Sequence, residues 1–255
     1  MDLDPDLAAL RPLGGFFVLR TLRSAAGDRE AARIAELPSL AKAYKKFTSD
    51  VYGNNLTFRV GVVADRLRTP EPRVAASIAH QALSARLWSV ALGCAARYGR
   101  LPDLDPRLLR WDAAATAPDD LWLTEVRALP GAAGPATLAD AVVHGHLEPL
   151  GEALRARYGV AAGLLWGNAG SALAGAAREL DRWARAEGRT EVANRTRALA
   201  AALFTHPLLS ATGLRTGPAF RRRSCCLYYR VPGGGVCGDC CFTQPPGSSP
   251  RAASG

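Results

Sequence analysis

The sequence predicts a mainly α fold with a minor β component (α+β), in which a helical body precedes a short cysteine-rich C-terminal segment. Long stretches between residues 28 and 204 carry apolar residues at helical spacing. Two short stretches, LLRWD and DLWLTEV, are rich in leucine and tryptophan and are bounded by proline and aspartate, which is typical of strands. Five of the six cysteines fall between Ser224 and Phe242.

Composition indicates a folded chain with a basic surface. Of the 255 residues 48% are hydrophobic, enough to build a core, so global disorder is excluded. The net charge of +9 suits nucleic acid, an acidic protein or an anionic ligand. The arginines are scattered along helical segments, however, and no nucleic-acid reading motif accompanies them. We therefore predict no nucleic-acid partner.

Neither a signal peptide nor a membrane span is predicted. The N-terminal run MDLDPDLAALRPLGGFF lacks the basic start and apolar stretch of a signal peptide, which favours a cytoplasmic, reducing location. The 18 uncharged residues of Val160–Ala177 have the length of a span. Alanine and glycine dominate them, Asn168 lies inside them and charges flank them, which favours a packed core helix. Gly163 and Gly167 in this stretch suit close packing against another element.

The first half of the body is predicted as helix, strand, helix and hairpin. Asp28–Phe47 has helical composition. Asn54–Leu67 opens with a turn signal and continues with β-branched and aromatic residues, which predicts a short strand. A long helix then begins at the prolines near Pro72 and ends at Gly99. LLRWD and DLWLTEV are expected to pair as a hairpin.

Three helical segments follow, and then the cysteines. They are predicted at residues 138–158, with a kink at Pro149, at residues 163–186 and at residues 191–204. After these the chain turns to glycine and proline. The predicted domains are a helical body at 1–215, a cysteine-rich segment at 216–243 and a disordered tail at 244–255.

The cysteine spacing is C-C-x10-C-x2-C, with an adjacent fifth thiol. The four spaced residues are Cys225, Cys226, Cys237 and Cys240, and the fifth is Cys241. A C-x2-C turn, eased by Gly238, presents two thiolates to one centre, and the glycines of VPGGG let the chain fold back. Four thiolates suit tetrahedral zinc or an iron–sulfur cluster.

The adjacency of Cys225 and Cys226 favours a centre with two metal ions, because neighbouring side chains diverge. The zinc alternative stays open on this evidence. In that case the chain is a zinc-stabilised binding module whose basic surface recognises an acidic partner. A reactive thiol or disulfide relay is a further alternative.

The run RRRSCCLYYRVPGGGVCGDC resembles the C-terminal signature of the FhuF-like ferric siderophore reductases, in which C-C-x10-C-x2-C holds a [2Fe-2S] cluster. LLWGNAGSALAGAAREL and ARLWSVALG resemble the helical body of that family more loosely. The resemblance implies that Cys225, Cys226, Cys237 and Cys240 bind the iron of a [2Fe-2S] cluster. Cys241 and Cys94 stand outside the pattern and are not expected to be ligands.

The resemblance also implies an oxidoreductase that reduces a cytoplasmic ferric siderophore by one electron and so releases ferrous iron. The one G-x-G-x-x-G match, Gly233–Gly238, contains a predicted cysteine ligand and lacks a βαβ context, so it is rejected as a dinucleotide site. A separate ferredoxin or flavoprotein is therefore expected to donate the electron. Trp166 and Asn168 suit a hydroxamate siderophore, but a buried tryptophan and a helix-breaking turn explain them better, so neither is included among the site residues.

Other residues near the motif have expected roles. Arg221, Arg222, Arg223 and Arg230 are expected to favour the reduced cluster and to dock an acidic electron donor, unless they are an ordinary solvated face. Tyr228, Tyr229 and Val231 are expected to shield the cluster from water. The four histidines (His80, His144, His146 and His206) form no convincing metal-binding pair.

Overall fold

The computed structural model of the protein describes residues 3–45 and 54–246. Helices account for 59% of these residues and strands for 8%, which confirms the predicted mainly α fold with a minor β component. The α-helices are α1 (Leu3–Ala8), α2 (Asp28–Glu36), α3 (Leu40–Tyr44), α4 (Asn55–Leu67), α5 (Pro72–Tyr98), α6 (Pro135–Leu138), α7 (Glu148–Tyr158), α8 (Ala162–Ala186), α9 (Thr190–Leu203) and α10 (Pro207–Ser210).

Helix α5 is the centre of the body. It begins with Pro72 in its first turn and ends at Gly99, whose φ of +67° terminates the helix in the left-handed region, as predicted. Trp88, Leu87 and Leu92 are fully buried along it, and α4, α8 and α9 pack around it. Because it is covered on nearly all sides, α5 is apolar around most of its circumference rather than along one stripe.

The strand predicted at Asn54–Leu67 is wrong, because this segment forms α4. The side-chain oxygen of Asn54 caps the helix by accepting the backbone N–H groups of Leu56 at 2.8 Å and Thr57 at 3.3 Å. Leu56, Val60 and Val63 then lie on one buried face against the core. Burial of that face outweighs the weak β preference of its branched residues.

The remaining helical predictions hold, with two adjustments. The segment predicted at 28–47 is two helices, α2 and α3, separated by Pro38, and its last two residues lie outside the described ranges. The segment predicted at 138–158 divides into α6, a π-helical stretch at Ala139–Leu147 and α7, with Pro149 in the first turn of α7. Proline has no backbone N–H to donate to the preceding turn of the helix. The wider turn of the π-helical stretch accommodates the missing hydrogen bond.

Two small sheets complete the fold. The predicted hairpin forms, with Leu109 opposite Leu123 and Trp111 opposite Leu121, and Arg20 pairs in parallel at its open edge. A second hairpin leads directly into the cysteines. The strands are β1 (Arg20–Thr21), β2 (Leu109–Trp111), β3 (Leu121–Leu123), β4 (Gly213–Thr216) and β5 (Ala219–Arg222).

The glycines of α8 receive the C-terminal segment. A Cβ on Gly167 would lie 2.2 Å from Ser224 Oγ, and one on Gly170 would lie 2.4 Å from Thr212 Oγ1. Gly167 therefore permits a close approach of the C-terminal segment, whereas a Cβ on Gly163 would meet no atom within 4 Å. Within residues 3–45 and 54–246, none of the helices combines the length and apolarity needed to cross a membrane.

The predicted division near residue 215 falls inside the β4–β5 hairpin and stays a prediction, as does the disordered tail. Of that tail, residues 247–255 lie outside the described part of the chain. The cysteine segment itself is described throughout and packs against α5 and α8.

Candidate metal centre

The cysteine segment is attached to the body at its beginning. In β5 the side chains alternate, so that Phe220 and Arg222 are buried and Arg221 is exposed. The carbonyl of Cys226 accepts a hydrogen bond of 2.8 Å from Ser77 Oγ on α5. Ser77 itself is fully buried, so this bond fixes the first cysteine pair against the central helix.

One glycine of the VPGGG turn is required for the chain to fold back. A Cβ on Gly234 would lie 2.5 Å from the carbonyl oxygen of Tyr228 and 2.8 Å from that of Val231. The N–H of Gly234 donates to that same Val231 carbonyl at 2.7 Å, which closes the turn. Gly238, by contrast, has no steric requirement, because a Cβ there would meet no atom within 4 Å.

Asp239, between the last two spaced cysteines, anchors their loop to α8. Its carboxylate accepts a 2.6 Å hydrogen bond from Ser171 Oγ and forms a 3.0 Å ion pair with Arg178. Its backbone carbonyl accepts the N–H of Arg222 at 2.9 Å. These contacts were not predicted from the sequence, where a carboxylate inside the C-x2-C turn was the available signal.

The sulfur atoms form two groups. Those of Cys225, Cys240 and Cys241 all lie within 4.8 Å of one another. The thiols of Cys226 and Cys237 share a hydrogen bond. The adjacent residues Cys225 and Cys226 therefore belong to different groups, as their divergence predicts, and each is joined by one cysteine of the C-x2-C turn.

The surroundings shift the pKa values of these thiols in opposite directions. The shared hydrogen bond lowers the pKa of Cys226 to about 7 and raises that of Cys237. Burial raises the pKa of Cys225 and Cys241. The positive charge of Arg222 lowers the pKa of all four of these thiols and so favours their thiolate forms.

A backbone pattern distinguishes the four spaced cysteines from the fifth. The N–H of Leu227 donates to Cys225 Sγ at 3.2 Å, and that of Phe242 donates to Cys240 Sγ at 3.4 Å. The N–H groups of Tyr228 and Asp239 likewise lower the pKa of Cys226 and Cys237, respectively. The shared thiol hydrogen bond and burial have larger effects on both pKa values.

Each spaced sulfur thus faces the N–H two residues further along the chain. Within the described residues, no such N–H from two positions ahead is found for Cys241, whose sulfur accepts instead from its own backbone N–H. Backbone N–H groups directed at sulfur stabilise thiolate charge and suit an iron–sulfur ligand.

These residues fit a [2Fe-2S] cluster. Two irons bound by two thiolates each require four sulfurs in two groups. The group of Cys225, Cys240 and Cys241 and the pair of Cys226 and Cys237 can provide them. Cys94 is fully buried in the core along α5.

The four arginines expected near the motif differ in environment. Arg222 is 2% exposed beneath the cysteines. Arg230 pairs with Glu71 at 2.8 Å, which offsets its charge. Arg221 and Arg223 are exposed, and Arg221 donates to the carbonyl of Cys241 at 3.1 Å. Of the residues expected to shield the motif, Val231 is buried, Tyr229 is half-buried and Tyr228 is exposed.

Trp166 and Asn168 do not share a pocket. Asn168 is fully buried and donates to the carbonyl of Ser77 at 2.8 Å, so its amide has a structural role. Trp166 is half-buried and lines a cavity of about 130 Å³ beside His80. Neither residue lines the groove beside Cys226 and Cys237.

A groove opens directly onto two of the cysteines. It has a volume of about 350 Å³ and mainly apolar walls, with Gln81 as a polar group beside Cys226 and Cys237. Helix α5 supplies one side, and Phe16 and Tyr228 stand at its edge, 44% and 37% exposed. A second cavity of about 390 Å³ shares Phe16, Gln81 and Ala85 with it and reaches Asp239. The groove is lined by Phe16, Ile78, Gln81, Ala82, Ala85, Cys226, Tyr228 and Cys237.

Comparison with known families agrees with this geometry. Residues 80–216, just over half of the chain, match the family described as ferric iron reductase FhuF-like transporter. The chain belongs to this FhuF-like family. Residues 222–242 match the FhuF 2Fe-2S C-terminal domain, so the group carried by the cysteine segment is a [2Fe-2S] cluster. A search of curated proteins found no match.

Proposed function

We propose that the protein is a ferric siderophore reductase of the cytoplasm, which reduces Fe(III) bound in a siderophore to Fe(II). The family match supports a ferric iron reductase with a [2Fe-2S] cluster. The observation that carries the finer proposal is the groove whose walls include the buried Cys226 and the partly exposed Cys237. A large substrate can approach the redox group there without entering the core.

The proposed cluster ligands are Cys225, Cys226, Cys237 and Cys240. The separation of their sulfurs into two groups supports this set, and so does the N–H that faces each of them. Cys241 lacks that N–H from two positions ahead within the described chain and is proposed not to bind iron.

The chemistry requires no acid, base or nucleophile from the protein. When bound, a [2Fe-2S] cluster supplies one electron at a time. Ferric iron in the substrate is held by hard, anionic oxygen ligands, and ferrous iron is held by them much less tightly. Reduction of the substrate iron therefore releases it while every covalent bond of the chelator stays intact.

The chain's own residues position the two partners. Phe16 and the α5 side of the groove hold the carbon framework of a siderophore, and Gln81 offers an amide to its oxygen groups. A hydroxamate is the favoured class, because its neutral carbon arms suit mainly apolar walls. Arg221 and Arg223 form an exposed basic edge, which suits an acidic ferredoxin or flavoprotein as electron donor.

The proposal is tested with anaerobically purified protein and a ferric hydroxamate. NADPH alone is expected to give no ferrous iron, measured with a ferrous-specific chelator, whereas addition of a ferredoxin and its reductase gives turnover. Rapid reduction by NADPH alone, in a preparation free of contaminating reductase, contradicts the proposed donor. No reduction with any donor or chemical reductant contradicts the proposed function.

Colour and metal content distinguish the proposed reductase from the alternative, a zinc-stabilised binding module. A [2Fe-2S] protein absorbs visible light and contains iron and sulfide, whereas a zinc protein is colourless. The family match to a 2Fe-2S domain favours the first.

A further inference from the structure

The guanidinium of Arg222 is buried without a carboxylate. The side chain donates to the carbonyl of Ser224 at 3.0 Å, to Gln81 Oε1 at 3.3 Å, to the carbonyl of Leu164 at 3.3 Å and to Asn168 Oδ1 at 2.5 Å. All four acceptors are neutral. Within the described residues no carboxylate forms an ion pair with it, and the residue is 2% exposed.

A full positive charge in such a place is costly unless an anion balances it. Arg86, buried to a similar extent in the same body, shows the usual solution, because it pairs with Asp120 at 3.0 Å. The nearest acidic residue along the chain, Asp239, is not free to do this for Arg222. Its carboxylate is held by Arg178 and Ser171, and only its backbone carbonyl contacts Arg222.

The contacts of Arg222 tie it to the cysteine segment, whose thiols are anions when they bind metal. Its side chain reaches the carbonyl of Ser224, next to Cys225, and its backbone N–H binds the loop between Cys237 and Cys240. Gln81, which accepts a hydrogen bond from the guanidinium, lines the same groove as Cys226 and Cys237. A [2Fe-2S] centre with four thiolates carries a net negative charge that increases by one on reduction.

We propose that Arg222 is the buried charge partner of the cluster and a positioning residue that raises its reduction potential. The inference rests on the proposed cysteine ligands but not on the identity of the substrate. A fixed positive charge stabilises the reduced form more than the oxidised form, because the reduced form carries the larger negative charge.

The fold holds this charge in one place. Hydrogen bonds from α5, α8 and the cysteine segment converge on the guanidinium, so it cannot turn to solvent when the cluster is oxidised. Gly167 leaves the space that it occupies, since a Cβ there would lie 3.1 Å from Arg222 Nη2. The exposed neighbours Arg221 and Arg223 are screened by water and have much less effect on the potential.

The test compares the midpoint potentials of intact cluster-loaded proteins, measured by dye-mediated redox titration in the visible spectrum without siderophore. We expect Arg222→Gln to lower the ratio of reduced to oxidised cluster at a fixed ambient potential by at least about tenfold. For one electron this corresponds to a midpoint potential that is lower by about 59 mV. Arg222→Lys should restore most of the wild-type potential. Arg223→Gln, the matched loss of an exposed charge, should shift the ratio less than about twofold.

An unchanged potential in Arg222→Gln, with full cluster content, overturns the proposal. So does an equal shift in Arg222→Gln and Arg222→Lys, because loss of the native hydrogen bonds would then explain both. If Arg222→Gln cannot be loaded, Gln81→Glu is measured instead. It places a carboxylate against the retained guanidinium and should lower the potential, and no change there also overturns the proposal.

The measured midpoint potential of the cluster does not depend on siderophore turnover, so the two proposals can fail separately. A shifted potential in a protein that reduces no siderophore supports the role of Arg222 and contradicts the proposed function. An active protein whose potential does not depend on Arg222 supports the proposed function and contradicts the role of Arg222.

Discussion

Asp239 in the cysteine segment and Arg178 on α8 form an ion pair of 3.0 Å, and Ser171 Oγ donates to the same carboxylate at 2.6 Å. The Asp239 side chain is 10% exposed. The loop that carries Cys237 and Cys240 is therefore fixed to the helical body by a largely buried charge, and not by its cysteines alone.

Substitution of Asp239 should loosen this loop. Asp239→Asn keeps the shape but removes the charge that faces Arg178, and we expect a loss of about 1–3 kcal/mol in stability, as for other charge-assisted hydrogen bonds. Cluster loss in the presence of an iron chelator should be several-fold faster, followed by visible absorbance. Glu179→Gln, at an exposed pair on the same helix, is the control. Equal rates in the two variants would show that the ion pair does not hold the loop.

Serine substitutions test the ligand set. Cys225→Ser, Cys226→Ser, Cys237→Ser and Cys240→Ser should each lose most of the cluster, measured as iron and sulfide per chain. Cys241→Ser should keep it, because Cys241 lacks the facing N–H from two residues ahead that each of the others has. Loss of the cluster in Cys241→Ser together with its retention in Cys240→Ser would contradict the assignment.

Phe16 should contribute to substrate binding. Removal of its ring from the groove edge deletes apolar contact, and we expect Phe16→Ala to lower kcat/KM for a ferric hydroxamate about 3–10-fold, or about 1 kcal/mol, mainly through KM. Phe58 is exposed to a similar extent, 54% against 44%, but lies on α4 away from the groove. Phe58→Ala should leave KM unchanged. Similar effects in both variants would place the substrate elsewhere.

The exposed residues Arg221 and Arg223 should affect only the rate at which an acidic protein donor reduces the cluster. Arg221→Gln with Arg223→Gln removes two positive charges from the basic edge. We expect the second-order rate of reduction by an acidic ferredoxin to fall several-fold at low salt, and the difference to shrink as ionic strength rises. Reduction by dithionite, followed in stopped flow, serves as the reference. A salt-independent loss with both reductants would argue against a docking role.

His146 should make the fold sensitive to mild acid. Tyr44 O–H donates to its Nδ1 at 2.8 Å, and its Nε2–H donates to the carbonyl of Leu104 at 2.6 Å, so the buried ring is neutral. Burial lowers its pKa to about 4. The unfolded chain, with a pKa near 6.5, binds the proton first. The stability contributed by the neutral ring is thus fully present above about pH 6.5 and falls as the pH drops towards 4, by roughly 3 kcal/mol.

Urea unfolding at a series of pH values checks this expectation. His146→Gln should be less stable at neutral pH but should lose less stability between pH 6.5 and 4. Some dependence should remain, because His80 is also buried with a pKa lowered to about 3. Identical slopes in the wild-type protein and in His146→Gln would contradict the assigned cause.

Local patterns in the sequence were sufficient for most elements of the fold. Proline and glycine mark the two ends of α5, and two runs rich in leucine and tryptophan, bounded by proline and aspartate, mark the β2–β3 hairpin. The prediction failed at Asn54–Leu67, where β-branched residues and a turn signal resemble a strand. The same asparagine is a helix cap, and the choice depends on whether the stripe from Leu56 to Val63 finds a core to cover it.

The spacing of Cys225, Cys226, Cys237 and Cys240 was enough to predict a metal centre, because a short turn and an adjacent pair restrict where thiolates can point. The resemblance to the FhuF signature then predicted an iron–sulfur cluster rather than zinc. The sequence could not show that Asp239 reaches Arg178 or that Arg222 lies buried among neutral acceptors. Arg178 is 61 residues away from Asp239 along the chain, and Asn168, one of the neutral acceptors, is 54 residues away from Arg222. A run of three arginines looks uniform in sequence, and only the packing of β5 against α8 decides that Arg222 loses water while Arg221 and Arg223 stay exposed. Charge has a strong effect on a redox centre only where water is excluded, and that exclusion is a property of the packed tertiary structure.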